Sequence, residues 1–406
     1  MKAIRVLSIG LAMCFLMTCV ASGKDNLLIS RFRTNHNTFQ DAQNIWCSDN
    51  IDICYQTSLM EGTSVSSFSP STPLTYAQIT IISSRLQNIL DGRTGTFRKA
   101  TQNEAWYIPA YQAFSVAAKN AGKSLPEDLE YELDQNPSDP CSRTVFVETL
   151  VSALDISGTV LPSINHVTTV PDAFGPVIIS FYNAGIVNGV DDYGSFNGNG
   201  TLNRGQAAAM LARIIDPAQR LTFTFKSFDL CRDVLQMSPD TVLFSTAGKS
   251  YTVEQCAIDL SAPPIPSLKG RDSTLDPEYL QNARLLAFCH NYVAPEILAN
   301  SLGIAITDSE RATLLASAQV KAGYKGLSAD YWYWQDSLSL YGEKLEAYYG
   351  NTMGYDEFGQ AEGYGQAIGD AAVKAHNELR VSASFSKIDW AGIQDRIEQF
   401  PMISQW

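Results

Sequence analysis

Along most of this chain the apolar residues recur at three-and-four spacing, which is the pattern of amphipathic helices and predicts a mainly α fold. The clearest stretch is SFNGNGTLNRGQAAAMLARII, Ser195 to Ile215, where Ala207, Met210 and Ile214 share one helical face behind a polar, glycine-rich loop. The same pattern stands 128 positions earlier in SFSPSTPLTYAQITIISSRLQ, Ser67 to Gln87. Aligned without a gap, Phe196 falls over Phe68, Leu202 over Leu74, Gln206 over Gln78 and Arg213 over Arg85. Asn203 and Thr75 stand where a short side-chain oxygen caps the free N–H groups of a first helical turn. Copies at a long period predict a repeat architecture.

Each copy extends upstream. Asp172 and Phe174 open the later one, Val177, Ile178 and Phe181 form a helical face, and AGIVNG follows, with Gly185 as a helix end and Gly189 free to take positive φ. The earlier copy opens at Trp46, continues through Ile53, Cys54 and Tyr55, and breaks at Gly62. Between them lies a degenerate copy. Trp106 opens a long helix ending at Gly122, and after an enlarged loop CSRTVFVETLVSAL sets Arg143 where Arg204 stands. The units are read as residues 44–92, 104–156 and 167–216. Residues 217–238 read as a linker, with LTFTF as a short strand and FKSFDLCRDVL as a brief helix.

A separate, mostly helical domain is expected over residues 239–406. Val242–Ser245 and Tyr251–Val253, around Ala247 and Gly248, predict a small β-hairpin. Leu280 to Leu302 reads as one helix ended by Gly303, and Thr307 to Glu310 as a capping box. Ser328 caps an aromatic-rich helix whose YWYW run, Tyr331 to Trp334, reads mainly as core and alternatively as an apolar peptide-holding surface. Glu357 to Leu379 gives another helix, and FSKIDWAGIQDRI closes the chain.

With 406 residues and 45% hydrophobic content the chain is long enough for two or three ordinary domains. Lys2 and Arg5, the apolar run Val6 to Val20, and Ala21-Ser22-Gly23 have the pattern of a secretory signal peptide over residues 1–23. Cys19 raises lipidation, against which Thr18 stands where a smaller residue belongs. A net charge of −13 excludes nucleic acid as a bulk partner. Cys47, Cys54, Cys141, Cys231, Cys256 and Cys289 remain after export, and either a Cys47–Cys54 bridge or free, buried thiols fit their spacing. His36, His166, His290 and His376 are scattered, and no metal, nucleophile-elbow, P-loop or dinucleotide motif occurs, so neither an enzyme nor a cofactor or metal is expected.

AGIVNG with LNRGQAAAMLAR, CSRTVFVETL and, with Tyr76 in place of the arginine, LTYAQITIISSRL together resemble the S-layer homology (SLH) domain, a tandem of three repeats. The resemblance implies a pseudo-three-fold helical module that binds a secondary cell wall polymer in the grooves between repeats, and so a secreted protein held at the bacterial cell wall or S-layer. Arg204 and Arg143 break an electrostatic rule, since the first turn of a helix is already positive. An anion held by guanidinium and first-turn N–H groups together would resolve the conflict. The ketal-linked pyruvate that the family is associated with is such an anion. The carbohydrate-binding residues are accordingly read as Arg204, Arg143, Asn203, Gly189, Asp172, Phe174, Trp106, Trp46 and Tyr76, with Arg204 favoured over Arg143. The three aromatics Trp46, Trp106 and Phe174 either stack on sugar rings or, the reading their apolar bulk favours, pack in the core.

The second half is similar, over a hairpin, a long helix and the G-I-x-I-T-D-x-E connection Gly303 to Glu310, to the helical part of SurA and foldase-type chaperones. A parvulin domain needs about ninety more residues, and 56 follow Gly350, so that family's catalysis does not carry over. The resemblances together imply a non-catalytic wall-anchored protein whose helical domain binds unfolded or envelope polypeptides. The alternatives are a structural S-layer component and a degenerate peptidyl-prolyl isomerase.

Overall fold

The computed structural model describes residue 28 and residues 33–262, 277–400 and 402–403, with only the backbone described over 277–281. The signal peptide reading and Cys19 lie outside the described residues. Fourteen α-helices and one small sheet form the described chain, so the fold is mainly α as the spacing predicts.

The first repeat holds α1 (Ser48–Gln56) and α2 (Tyr76–Leu90), the second α3 (Ile108–Asn120), α4 (Glu127–Gln135) and α5 (Arg143–Ser157), and the third α6 (Pro176–Asn183) and α7 (Arg204–Ile215). Thr75 and Asn203 each form a capping box with the glutamine three residues on, as the sequence predicts. The enlarged loop of the middle copy contains α4, whose Leu129 and Leu133 are buried. Phe68, Leu74, Ile79, Phe146, Leu150, Phe196, Leu202 and Leu211 belong to one continuous core shared by all three repeats. Each such side chain is worth about 1.5–3 kcal/mol of transfer free energy, and no single repeat could bury its face alone.

The first unit starts earlier than Asn44: Phe39 and Ala42 are already in that core. All six described cysteines are free and buried. Cys47 and Cys54 flank nearly two turns of α1, about 10 Å along a helix axis, which is beyond the reach of a disulfide.

The linker reading is corrected. Residues 221–229 form no strand; the alternation in LTFTF arises because Phe223 and Phe225 both pack on Tyr182 of the third repeat, with ring centroids 6.2 and 5.8 Å away. Leu221 and Lys226 donate their N–H groups to Gly185 and Asp192, so this segment is bound to the repeats rather than free. From Leu230 to Leu235 it forms a π-helical turn inside the second core.

In the second half β1 (Val242–Thr246) and β2 (Lys249–Thr252) make the predicted hairpin, and a third strand, β3 (Arg380–Val381), adds to the other edge of β1. Two residues are too few to read as a strand from sequence. Around the sheet lie α8 (Val253–Ser261), α9 (Pro277–Phe288), α10 (Ala294–Ser301), α11 (Asp308–Lys321), α12 (Ala329–Met353), α13 (Tyr364–Asn377) and α14 (Trp390–Ile397). The single helix expected to Leu302 is α9 and α10 joined through a π-helical turn at Cys289–Val293. Of the YWYW run, Tyr331 and Trp332 are buried and Trp334 stacks on Tyr292 at 5.5 Å, so the run is core.

Candidate functional site

The three repeats meet at a ring of backbone hydrogen bonds. Leu74 N–H donates to Leu202 O (2.9 Å), Leu202 N–H to Cys141 O (3.4 Å), and Cys141 N–H to Leu74 O (2.8 Å), which closes the three-fold set. Each helix start then docks on the loop of the next repeat. Arg204 and Gly205 donate their N–H groups to Thr72 O and Pro70 O, Arg143 and Thr144 to Gly200 O and Gly198 O, and Tyr76 and Ala77 to Asp139 O and Pro137 O. The next N–H is taken by the cap side chain in each case. The first-turn donors that the sequence reading assigns to an anion are therefore already satisfied inside the protein, and Asn203 is engaged as a cap.

In the groove between the third and first repeats, Arg204 is buried and lies over the Phe68 ring, 4.5 Å from its centroid. Its Nε donates to Phe68 O (2.8 Å) and its Nη2 to Glu61 O (2.5 Å). Two carbonyls resolve the conflict between arginine and helix dipole here. The opposing loop is held by Asp41, whose carboxylate accepts N–H donors from Phe68 (2.8 Å) and Ser69 (2.7 Å) and the Ser67 hydroxyl. Desolvation, the largest single influence on this acid, is outweighed by those three donors together, and its pKa is lowered.

The groove between the second and third repeats repeats this plan with different contents. Asp172 stands where Asp41 does and accepts N–H donors from Phe196 and Asn197, both at 2.6 Å. Asn197 and Ser69 are both held at positive φ, 55° and 58°, by this contact. Asp172 is more deeply set, and desolvation raises its pKa despite the two donors. Arg143 is buried, feels the charge of Asp172, and leaves Nε without a partner; desolvation lowers its pKa. The next residue, Thr144, lines a cavity of about 200 Å³ together with Asp172, Phe174, Phe196, Asn199 and Tyr324, among others. Gly198 stands at its edge, where a Cβ would lie 2.4 Å from the Thr144 hydroxyl and force that side chain to move.

The seam between the first and second repeats is closed. Tyr76, where the other helices carry arginine, is buried, and α4 packs across α2 and α5. Gly189 shapes the third-repeat loop from within: its φ is 77° and a Cβ would meet the Gly194 backbone at 2.6 Å. The expectation of a core place for the aromatics is corrected, since Trp46 is 67% exposed, Trp106 59% and Phe174 38%. They stand in the connections just before α1, α3 and α6, outside the helices whose apolar faces fill the core.

Residues 38–80 match the family model of the S-layer homology domain. The chain carries an S-layer homology domain. The match falls on the first copy, although the residue motifs are fullest in the third. No curated protein matches the chain. An S-layer homology domain binds cell wall polymer, so this is a cell-surface protein held at the wall. Among the described residues no helix is long and apolar enough to cross a membrane.

Sequence reasoning missed two participants in these S-layer homology grooves. Asp41 was legible, because Asp41-Ala42 mirrors Asp172-Ala173. Tyr324 was not, since it comes from the other half of the chain.

Proposed function

We propose that the S-layer homology module binds an anionic, pyruvylated secondary cell wall polymer in the groove between its second and third repeats. Arg143 supplies the cation, Thr144 and Asn199 supply hydrogen bonds, and Phe174 supplies an apolar face. The observation that carries this reading is the cavity of about 200 Å³, large enough for a sugar's acidic substituent, that Thr144, Asp172 and Phe174 line next to the helix start of the buried Arg143, whose Nε has no partner. The module is non-catalytic, and Arg204 serves to hold the third repeat on the first. A pull-down on purified wall carbohydrate tests it: Arg143→Ala should abolish retention, and full retention by that variant overturns the assignment.

The helical second half is proposed to hold polypeptides. A groove of about 420 Å³ between α11 and α12, lined by Leu314 and Leu340 among polar residues, supports that reading. A purely structural envelope role is favoured instead by the burial of Tyr331 and Trp332, which removes an aromatic cradle from the surface. Suppression of aggregation of a denatured client by the full chain separates the two, since a structural domain leaves aggregation unchanged.

A further inference from the structure

The cavity lined by Thr144 and Asp172 is not made by the repeats alone. One wall is Tyr324, from the turn that joins α11 to α12 in the second half. This turn is docked on the third repeat at a defined point. Lys325 N–H donates to Pro171 O (2.8 Å), one residue before Asp172. Gly323 approaches so closely that a Cβ would lie 2.7 Å from the Thr169 methyl. Tyr324 meets Phe174 at a ring separation of 4.7 Å and an interplanar angle of 55°. Trp332 also stacks on Tyr324 at 5.3 Å and donates its indole N–H to Tyr324 O (3.3 Å). The Lys321 ammonium, paired with Asp336 at 2.8 Å, lies 5.9 Å from the Phe174 ring. Trp332 and Phe174 thus fix the tyrosine ring in place, and Tyr324 and Phe174, packed on each other, line the cavity together with Asp172.

We propose that the second half of the chain completes this glycan site: Tyr324, backed by Trp332, forms with the adjacent Phe174 the aromatic wall against which a ring of the wall polymer packs. The inference rests on the proposed polymer groove and adds that its affinity is set from outside the repeats. Sugar rings present flat C–H faces, and two adjoining aromatic rings lining a cavity, with the Lys321 ammonium near one of them, suit an acidic, ring-shaped ligand. The Arg204 groove receives no such wall from the second half among the described residues.

The test is calorimetric titration of the full chain with a methyl hexoside carrying a 4,6-linked pyruvate ketal. Tyr324→Leu, which keeps an apolar plug but no flat ring, should weaken binding about tenfold, and Tyr324→Phe by less than about twofold. Binding should also change tryptophan fluorescence, and Trp332→Phe should remove that change. Wild-type affinity in Tyr324→Leu, with loss in Phe174→Ala, overturns the composite wall and leaves the groove standing. Tighter binding by Tyr324→Leu overturns it too, since the ring would then be a cover. If the unaltered chain does not bind, or binds equally well as Arg143→Ala, the groove reading falls and this inference with it. Thermal melting of each variant separates loss of fold from loss of affinity.

Discussion

Between the third and first repeats Arg204 gives its Nε and Nη2 protons to Phe68 O and Glu61 O, while between the second and third repeats Arg143 leaves Nε unpaired beside Asp172. The two arginines hold the same place in the motif, each follows a residue whose side chain caps the helix, and they start helices docked by equivalent pairs of backbone bonds. What differs is the loop across the groove. The first-repeat loop brings two carbonyls to the guanidinium, whereas the third-repeat loop reaches the helix start through Gly198 and Gly200 and leaves a cavity. An arginine bonded through Nε and Nη2 to the facing loop is part of the fold, whereas Arg143 carries an unmet buried donor at the groove with the cavity.

The largest effect should come from removing the filled arginine. Arg204→Ala strands two carbonyls and uncovers Phe68, and should lower stability by about 2–4 kcal/mol in a denaturant titration. Arg143→Ala removes a side chain already lacking one partner and should cost about 1 kcal/mol or less while abolishing wall retention. Equal stability losses in the two variants would break the comparison.

Gly189→Ala should cost about 2 kcal/mol, since both its φ of 77° and the Gly194 backbone oppose a side chain. Gly92→Ala, with φ of 79° but no atom within 4 Å, should cost about 1 kcal/mol, and thermal melts of the pair would separate strain from clash.

The smallest effect is electrostatic and of opposite sign in the two grooves. The lowered pKa of Asp41 stabilises the fold above the ordinary carboxylate range, and that contribution is lost as pH falls through its folded value. The raised pKa of Asp172 works the other way: its contribution is greatest at low pH and is lost as pH rises from the ordinary carboxylate value to the raised one. Carboxyl-resolved NMR titration should therefore place the Asp172 midpoint above that of Asp41, and coincident or reversed midpoints would show that burial does not distinguish the grooves.

Much of this was legible in the chain. Thr75, Ser142 and Asn203 cap their helices because capping depends on residues three positions apart, and the apolar faces of α2, α5 and α7 follow from helical spacing alone. The hairpin at Ala247 and Gly248 follows from local turn chemistry, with both residues at positive φ. The packed course of residues 221–229, strand β3 and α4's closure of the Tyr76 seam were not legible. Each depends on a partner distant in sequence: Tyr182 for Phe223, β1 for Val381, α2 for α4.

The sequence by itself determined the repeat, its caps, its apolar faces and the two arginines at equivalent helix starts, because these are set by side-chain spacing within a few turns of one helix. Only the tertiary structure decided which arginine has a donor to spare, that Trp46 and Trp106 face solvent, and that Tyr324 from the second half stands against Phe174. Those outcomes turn on where a carbonyl or a ring lies to within about an ångström, and hydrogen bonds and ring contacts fall away over that distance. No spacing along a single strand of chain encodes such a distance between segments 136 residues apart, as Arg204 and Phe68 are.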